Sequence, residues 1–276
     1  MIYQLWYHKS HELEQHSLLL KKNMKDINCW EAKFEVCIYS DKLLNKLLSL
    51  NKQASNKIDL TEVRKAIYYA KKYHDTQKRQ SGEPYYSHPL EVAYMLAEYV
   101  AEESIKYFRT DLFVTAILHD TLEDTKLTFK MIKSIFGYMV ANQVMDITRI
   151  KEDGCKISSA EIFKSLWLQK KNDILLIKQL DRLHNMQTIE AKSIAKIKKT
   201  ANETFNSFIV YWMHMCAKNI ERKIYQLCCK NLSIKMISYE FSQTIKEASH
   251  LCCIENSDTH RFLSQVFQNV TTQTKN

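Results

Sequence analysis

The chain is almost without backbone punctuation: three glycines and two prolines in 276 residues. Glycine supplies the positive φ of tight turns and proline fixes their geometry. With so little of either, a fold built from many hairpins is excluded, and strand-like alternation is scarce. Leu, Ile, Lys, Glu and Ala dominate instead, which predicts an all-α fold. No apolar run reaches the ~18 residues that cross a bilayer. The opening Met1–His8 is too short and too polar-flanked for a secretory signal. A soluble, cytoplasmic protein is expected. Among the eight cysteines no Cys-x-x-Cys spacing occurs, and Cys228-Cys229 and Cys252-Cys253 are vicinal pairs. Vicinal pairs bridge only with strain, so buried, reduced thiols are expected.

Charge is not scarce. The net charge is +9, and from Lys192 to Lys235 nine Lys or Arg face two Glu. Basic surface attracts polyanions, yet no nucleic-acid-binding motif and no stacked aromatic platform is present. A solvated basic face is the expectation, with neither nucleic acid nor membrane as partner. Residues 1–57 read as an extension of unknown role. Met24 lies at a sharp transition, consistent with Met1–Asn23 preceding the natural start.

Both prolines fall within one short run, Pro84-Tyr85-Tyr86-Ser87-His88-Pro89, which predicts a fixed turn delivering His88 to a helix start. Asp59-Leu60-Thr61-Glu62 reads as a capping box, opening a helix to about Tyr73. Pro89 is placed as the first residue of a helix to about Glu102, with His88 as its cap. Asp111 is expected to cap a buried, all-apolar helix, Leu112–Leu118, that ends on His119-Asp120. Thr128 opens a helix that Gly137 closes. Ser158-Ser159-Ala160-Glu161 is a second capping box, starting a helix to about Lys171. Asp173 begins a helix over Ile174–Ile189, and helical patterns continue through Phe205–Met215 and Ile220–Leu232. Residues 236–276 read as a further helical segment and a polar tail.

On the Ile174–Ile189 helix Lys178, Asp181, Asn185 and Thr188 share one face. Short, rigid polar side chains on so apolar a helix suit a site inside the bundle better than a solvated stripe. His88, His119, Asp120 and Asp181 together make a plausible divalent-metal site. Two neutral imidazoles and two carboxylates balance the ion's charge and suit Mn²⁺, Fe²⁺ or Zn²⁺ more than Ca²⁺. Such an ion lowers the pKa of a bound water toward neutrality. His119-Asp120 ends a buried helix, where polar groups need partners. The other His-Asp pair, His74-Asp75, lies beside Lys71 and Lys72 and reads as surface or loop-anchoring. Glu123 and Asp124 follow one turn after the candidate ligands. Either they serve proton transfer to and from a water and a leaving group, or they merely cap the next segment.

Three segments then occur in order: Gln77-Lys78-Arg79-Gln80-Ser81-Gly82-Glu83-Pro84-Tyr85-Tyr86-Ser87-His88-Pro89, Leu118-His119-Asp120-Thr121-Leu122-Glu123-Asp124-Thr125, and Ile177-Lys178-Gln179-Leu180-Asp181-Arg182-Leu183-His184-Asn185-Met186. Together they resemble the HD-type hydrolase domain of the RelA/SpoT alarmone enzymes, over roughly Asp59 to Leu232. The resemblance implies an all-α HD-domain helical bundle, placed here at residues 58–235. It implies a Mn²⁺-dependent hydrolase that removes the 3′-pyrophosphate of guanosine tetra- and pentaphosphate. By position the metal ligands are His88, His119, Asp120 and Asp181, and the water- and proton-handling pair is Glu123 and Asp124. Arg79 and Ser81 match residues near the guanine, and Asn185 and Thr188 match substrate-contacting positions. Gln80 and Gln187 stand where the family usually carries cations, and Gln179-Leu180 replaces the more usual Leu-Ala. Two other readings follow from these departures: the same fold acting on another phosphorylated nucleotide such as NADPH, or a binding module without turnover.

Overall fold

The computed structural model describes residues 29–102, 105–149, 157–204 and 218–232. Among them the regular structure is helical: ten α-helices, three short 3₁₀ turns, and one isolated bridge between Lys78 and Pro84. The all-α expectation therefore holds. The chain divides into two compact units. The first holds the residues up to Gln77 together with Tyr85–Thr148. The second holds Lys78–Pro84 and the chain from Arg149 onward.

In the first unit α1 spans Ile38–Asn51, α2 Leu60–His74, α3 Ser87–Glu102, α4 Thr110–Leu118, α5 Thr121–Asp124 and α6 Phe129–Ile147. Helix α4 is its centre. Every residue from Leu112 to Leu118 is buried, and α2, α3 and α6 pack against it. A helix apolar all round is stable only where neighbours cover every face. Leu43 and Leu47 of α1 are fully buried, as are Val63, Ile67 and Tyr69 of α2 and Leu96 of α3.

Side-chain caps set several boundaries as expected. Asp59 accepts from the backbone N–H of Thr61 at 2.8 Å and of Glu62 at 3.3 Å. Its capping box is only half made, because the Asp59 N–H donates to Thr110 Oγ1 instead. Thr128 caps α6 through the Met131 N–H. Three boundaries differ. Helix α3 begins at Ser87, so His88 lies inside it and Pro89 occupies its first turn, where no N–H is needed. Helix α4 begins at Thr110 with Arg109 in the cap position, so Asp111 is a first-turn residue. Gly137 does break its helix, at φ 88°, but the chain resumes helix to Ile147 rather than leaving it. Helix α1 is an addition, since residues 1–57 carry no motif that predicts it.

In the second unit α7 spans Ser159–Leu168, α8 Asn172–Gln187, α9 Ile194–Glu203 and α10 Lys218–Leu232. The Ser158 capping box is complete: its N–H donates to Glu161 Oε2 at 2.8 Å, and the Glu161 N–H donates to Ser158 Oγ at 3.2 Å. Helix α7 stops at Leu168, three residues short of expectation, as Lys170 turns to φ 56°. Helix α8 runs between α7 and α10, with Ile174–Asp181 buried without interruption. It starts two residues before Ile174 and ends at Gln187. Cys228 and Cys229 are buried free thiols on α10, with burial pushing Cys228 up to about 12. Cys29 is free and exposed. No helix among the described residues is long and apolar enough to cross a membrane. The helical pattern over 205–215, the cysteine pair 252–253, Met24 and the tail lie outside the described residues.

Candidate metal and catalytic centre

Helix α3 carries His88 in its first turn, and the end of α4 carries His119, with Asp120 beginning the single turn α5. Both imidazoles are almost wholly buried, each 1% exposed. Their ring centroids stand 5.2 Å apart, with ligand nitrogens within 4.8 Å of one another. The Asp120 carboxylate meets both: Oδ1 is 3.1 Å from His119 Nε2 and Oδ2 is 3.5 Å from His88 Nε2. His119 Nδ1 lies 2.8 Å from the Ala116 carbonyl oxygen. A carbonyl only accepts, so Nδ1 carries the proton, and in the neutral ring Nε2 is the basic nitrogen aimed at Asp120. Two electron-pair donors at that distance are stabilised by a cation between them. An imidazole whose far nitrogen is fixed by a carbonyl is the usual arrangement of a metal-bound histidine. The donor set, nitrogen and oxygen around a buried point, fits a divalent metal.

Glu123 and Asp124 close α5. The N–H groups of both residues bond the Asp120 carbonyl, at 3.2 and 2.9 Å, so the proposed ligand and both acids share one helical turn. Asp124 is open to solvent on one side. Partial burial of its carboxyl pushes its pKa above the usual carboxylate range, and the charges of Asp120 and Glu123 act in the same direction. The hydrogen bond from Tyr85 opposes this shift. Tyr85 Oη lies 2.7 Å from Asp124 Oδ2 and 3.2 Å from Asp120 Oδ2. Its ring stacks on His74, with centroids 4.6 Å apart and planes 24° from parallel. His74 is 1% exposed, so the surface reading of this residue is corrected. The loop-anchoring reading fits, since Nδ1 bonds Gln77 Oε1 at 2.8 Å. Burial of His74 pushes its pKa below the ordinary histidine value, so the ring is neutral near pH 7.

The second unit gathers the other candidate residues. Lys78–Pro84 is a tight loop: the Arg79 N–H donates to the Glu83 carbonyl and the Gly82 N–H to the Arg79 carbonyl, both at 2.9 Å. Gly82 supplies the φ of 92° that the turn requires. Arg79 Nη2 donates to Thr188 Oγ1 at 3.0 Å and to Asn185 Oδ1 at 3.3 Å. Asn185 Nδ2 in turn donates to Asp181 Oδ1 at 2.5 Å, and Lys178 Nζ lies 3.0 Å from Asp181 Oδ2. The polar stripe read from the sequence is thus one continuous hydrogen-bonded line, with Lys178 and Asp181 buried. It is no solvated face. Gln80 and Ser81 are exposed in this loop, and Gln187 is exposed at the end of α8. Burial of Lys192, just past α8, pushes its ammonium below the ordinary lysine value, and the charges of Arg79, Lys196 and Arg182 add to this.

His74, Gln77 and Tyr85 adjoin Asp120 and Asp124, and sequence reasoning assigned none of them a part in the centre. Tyr85 lies inside a quoted motif, but nothing in its spacing distinguishes it from Tyr86.

An all-α protein that sets two buried histidines against an aspartate, with two acids on the same turn as that aspartate, belongs to the class of helical His-Asp proteins. The chain is a member of the HD domain family, whose profile matches residues 66–210, more than half of its length. Among curated relatives, the guanosine-3′,5′-bis(diphosphate) 3′-pyrophosphohydrolase of Aquifex aeolicus is 38% identical over 176 residues, 63% of this chain and 23% of the relative. The GTP pyrophosphokinase of Myxococcus xanthus is 37% identical over 158 residues, 54% of this chain and 20% of the relative. The probable guanosine-3′,5′-bis(diphosphate) 3′-pyrophosphohydrolase of Synechocystis is 33% identical over 149 residues, 52% of this chain and 19% of the relative. The chain therefore spans about a quarter or less of the curated relatives it matches. A solved structure of a metazoan ortholog of SpoT, described as hydrolysing ppGpp, aligns with a TM-score of 0.45 at 19% identity. The alignment covers 60% of this chain and 93% of that one. The resemblance to the RelA/SpoT enzymes drawn from the three motifs agrees with these relatives.

Proposed function

We propose that this protein hydrolyses guanosine 3′,5′-bis(diphosphate) and its pentaphosphate, releasing pyrophosphate and GDP or GTP. The observation that carries the reading is the shared turn of α5: Asp120 facing two buried imidazoles, with Glu123 and Asp124 immediately after it. Kinship with the Aquifex pyrophosphohydrolase supports it.

The metal is assigned to His88, His119, Asp120 and Asp181, with Mn²⁺ as the ion and residues 58–235 as the hydrolase domain. When bound, the metal supplies Lewis-acid activation of water and charge against phosphate oxygens. The chain's own residues do the rest. A water oxygen bonds the phosphorus attached to the 3′ oxygen while that P–O bond breaks. The water loses a proton, and the departing 3′ oxygen gains one. Glu123 and Asp124 are assigned these two transfers. Arg79 and Ser81 are assigned to the guanine end, and Asn185 and Thr188 to substrate contact, where both also accept hydrogen bonds from the Arg79 guanidinium. A small-molecule nucleotide is the only partner assigned, with neither nucleic acid nor membrane, and the location is cytoplasmic.

The exposed Gln80 and Gln187 favour a second reading, in which the same centre takes a phosphorylated nucleotide of lower charge, such as NADPH. The deciding experiment is pyrophosphate release from guanosine tetraphosphate with Mn²⁺, run beside Asp120→Ala, with Mn²⁺ binding measured by calorimetry on both proteins. Turnover and Mn²⁺ binding are expected in the first and lost in the variant. Mn²⁺ binding without turnover would replace the guanosine substrate with the second reading, to be pursued on a nucleotide panel.

A further inference from the structure

Asp124 is the last residue of a helix only four residues long, and it is open to solvent. A side chain so placed has little helix of its own to select its rotamer. A carboxylate that moves a proton must be held within a fraction of an ångström of its reaction geometry. Two arms reach it from one buried histidine. His74 bonds Gln77 Oε1 through Nδ1, and Gln77 Nε2 donates to the Asp124 backbone carbonyl at 2.8 Å. The same His74 ring stacks on Tyr85, whose hydroxyl lies 2.7 Å from Asp124 Oδ2. The Tyr85 N–H donates to the Gln77 carbonyl at 2.9 Å, so the two arms are joined at their base. One arm fixes the backbone of Asp124, and the other fixes its carboxylate.

The tautomer is determined along this path. The Gln77 amide oxygen accepts, so His74 Nδ1 donates, and the Gln77 amide nitrogen is left to donate to Asp124. Tyr85 has one proton and two carboxylate neighbours. The shorter leg, to Asp124, is the bond a phenol makes to a carboxylate; the 3.2 Å leg to Asp120 is the longer branch.

We propose that Tyr85 is a positioning residue for the reaction, orienting the Asp124 carboxylate, with His74 and Gln77 as its fixed support. This rests on the reading above that Asp124 takes part in proton transfer. It assigns Tyr85 no contact with the reacting atoms.

The test is Tyr85→Phe, which removes one oxygen and keeps the ring on His74. With guanosine tetraphosphate and Mn²⁺, kcat should fall by about 10- to 100-fold. KM and the calorimetric Mn²⁺ affinity should be unchanged. In an Asp124→Asn background the same substitution should cost almost nothing further, because the group it orients is already disabled. A loss that multiplies fully in the double variant would overturn the proposal. So would one that falls on Mn²⁺ affinity with kcat intact, since Tyr85 would then serve Asp120. A readout independent of turnover separates this from the choice of substrate. In protein labelled with ¹³C at tyrosine Cζ, the resonance that Tyr85→Phe removes should shift in Asp124→Asn. An unmoved resonance sinks the proposal even where turnover is present. A shifted resonance in a protein inactive on every guanosine polyphosphate leaves the clamp intact and removes the substrate assignment.

Discussion

Glu123 and Asp124 are neighbours in sequence, yet the structure treats them differently. Asp124 is gripped by Tyr85 and through its backbone by Gln77, whereas Glu123 projects from the same turn at intermediate exposure. Neither belongs to the proposed ligand set, so replacing Glu123 by Gln should keep Mn²⁺ affinity while lowering kcat by about 10²–10⁴-fold, the usual cost of losing a general acid or base. Calorimetry and steady-state rates on one preparation check both halves. Replacing His119 by Ala should abolish metal binding and activity together; retained Mn²⁺ affinity would remove it from the ligand set. At this scale the candidate residues were legible because they lie in ordered motifs whose chemistry is shared by residue type. His74 and Tyr85 were not. A histidine beside two lysines reads as surface until the fold buries it, and the hydroxyl of one tyrosine among fifteen carries no sequence mark.

The elements show the same division between local and tertiary causes. Asp59, Thr128 and Ser158 cap their helices through their own side chains, so those starts could be read directly. The starts of α3 and α4 could not, because packing and distant partners decide them. Asp111 is the clearest case. Burial acts to raise its carboxyl, but the Arg109 hydrogen bonds outweigh it, and Gln143 of α6 adds another at 2.8 Å. The result lies below the ordinary value of 3.8. A carboxylate whose folded pKa is depressed contributes stability that is complete above its unfolded pKa and disappears as pH falls through the folded one. Arg109 is substantially exposed, so Arg109→Ala should cost only about 0.5–1 kcal/mol near pH 7. That cost should fade as pH drops below 3.8, which thermal melts across the range would show. Gly137 offers a test of another kind. At φ 88° and ψ 170° it sits where only glycine is at ease, while an added Cβ would meet nothing within 4 Å. Gly137→Ala should therefore lower stability by about 1–3 kcal/mol through backbone strain alone, with kcat untouched.

For the molecule as a whole the net charge of +9 is an asset only if cations stand where phosphates arrive. Gln80 and Gln187 left that open at the level of sequence, because a charge count does not say which lysines replace absent ones. The structure offers Lys192. It lies just past α8, half-buried, and Arg79, Lys196 and Arg182 all bear on its charge. Arg182 is already answered by Glu203 at 3.4 Å. Cations crowded together destabilise one another, and an incoming polyanion relieves the repulsion while they bind it. This contribution is electrostatic, so salt should weaken it: if the proposed substrate holds, between about 50 and 200 mM salt the KM for guanosine tetraphosphate should rise several-fold with kcat nearly constant. Lys192→Gln should raise KM at low salt and flatten that dependence, because one of the screened charges is gone. Adding Gln187→Arg to that variant should restore part of both effects by placing a cation at the exposed end of α8. A KM indifferent to salt, or a Lys192→Gln variant with the wild-type dependence, would take phosphate recognition away from these lysines. The net charge would then be a property of the surface alone.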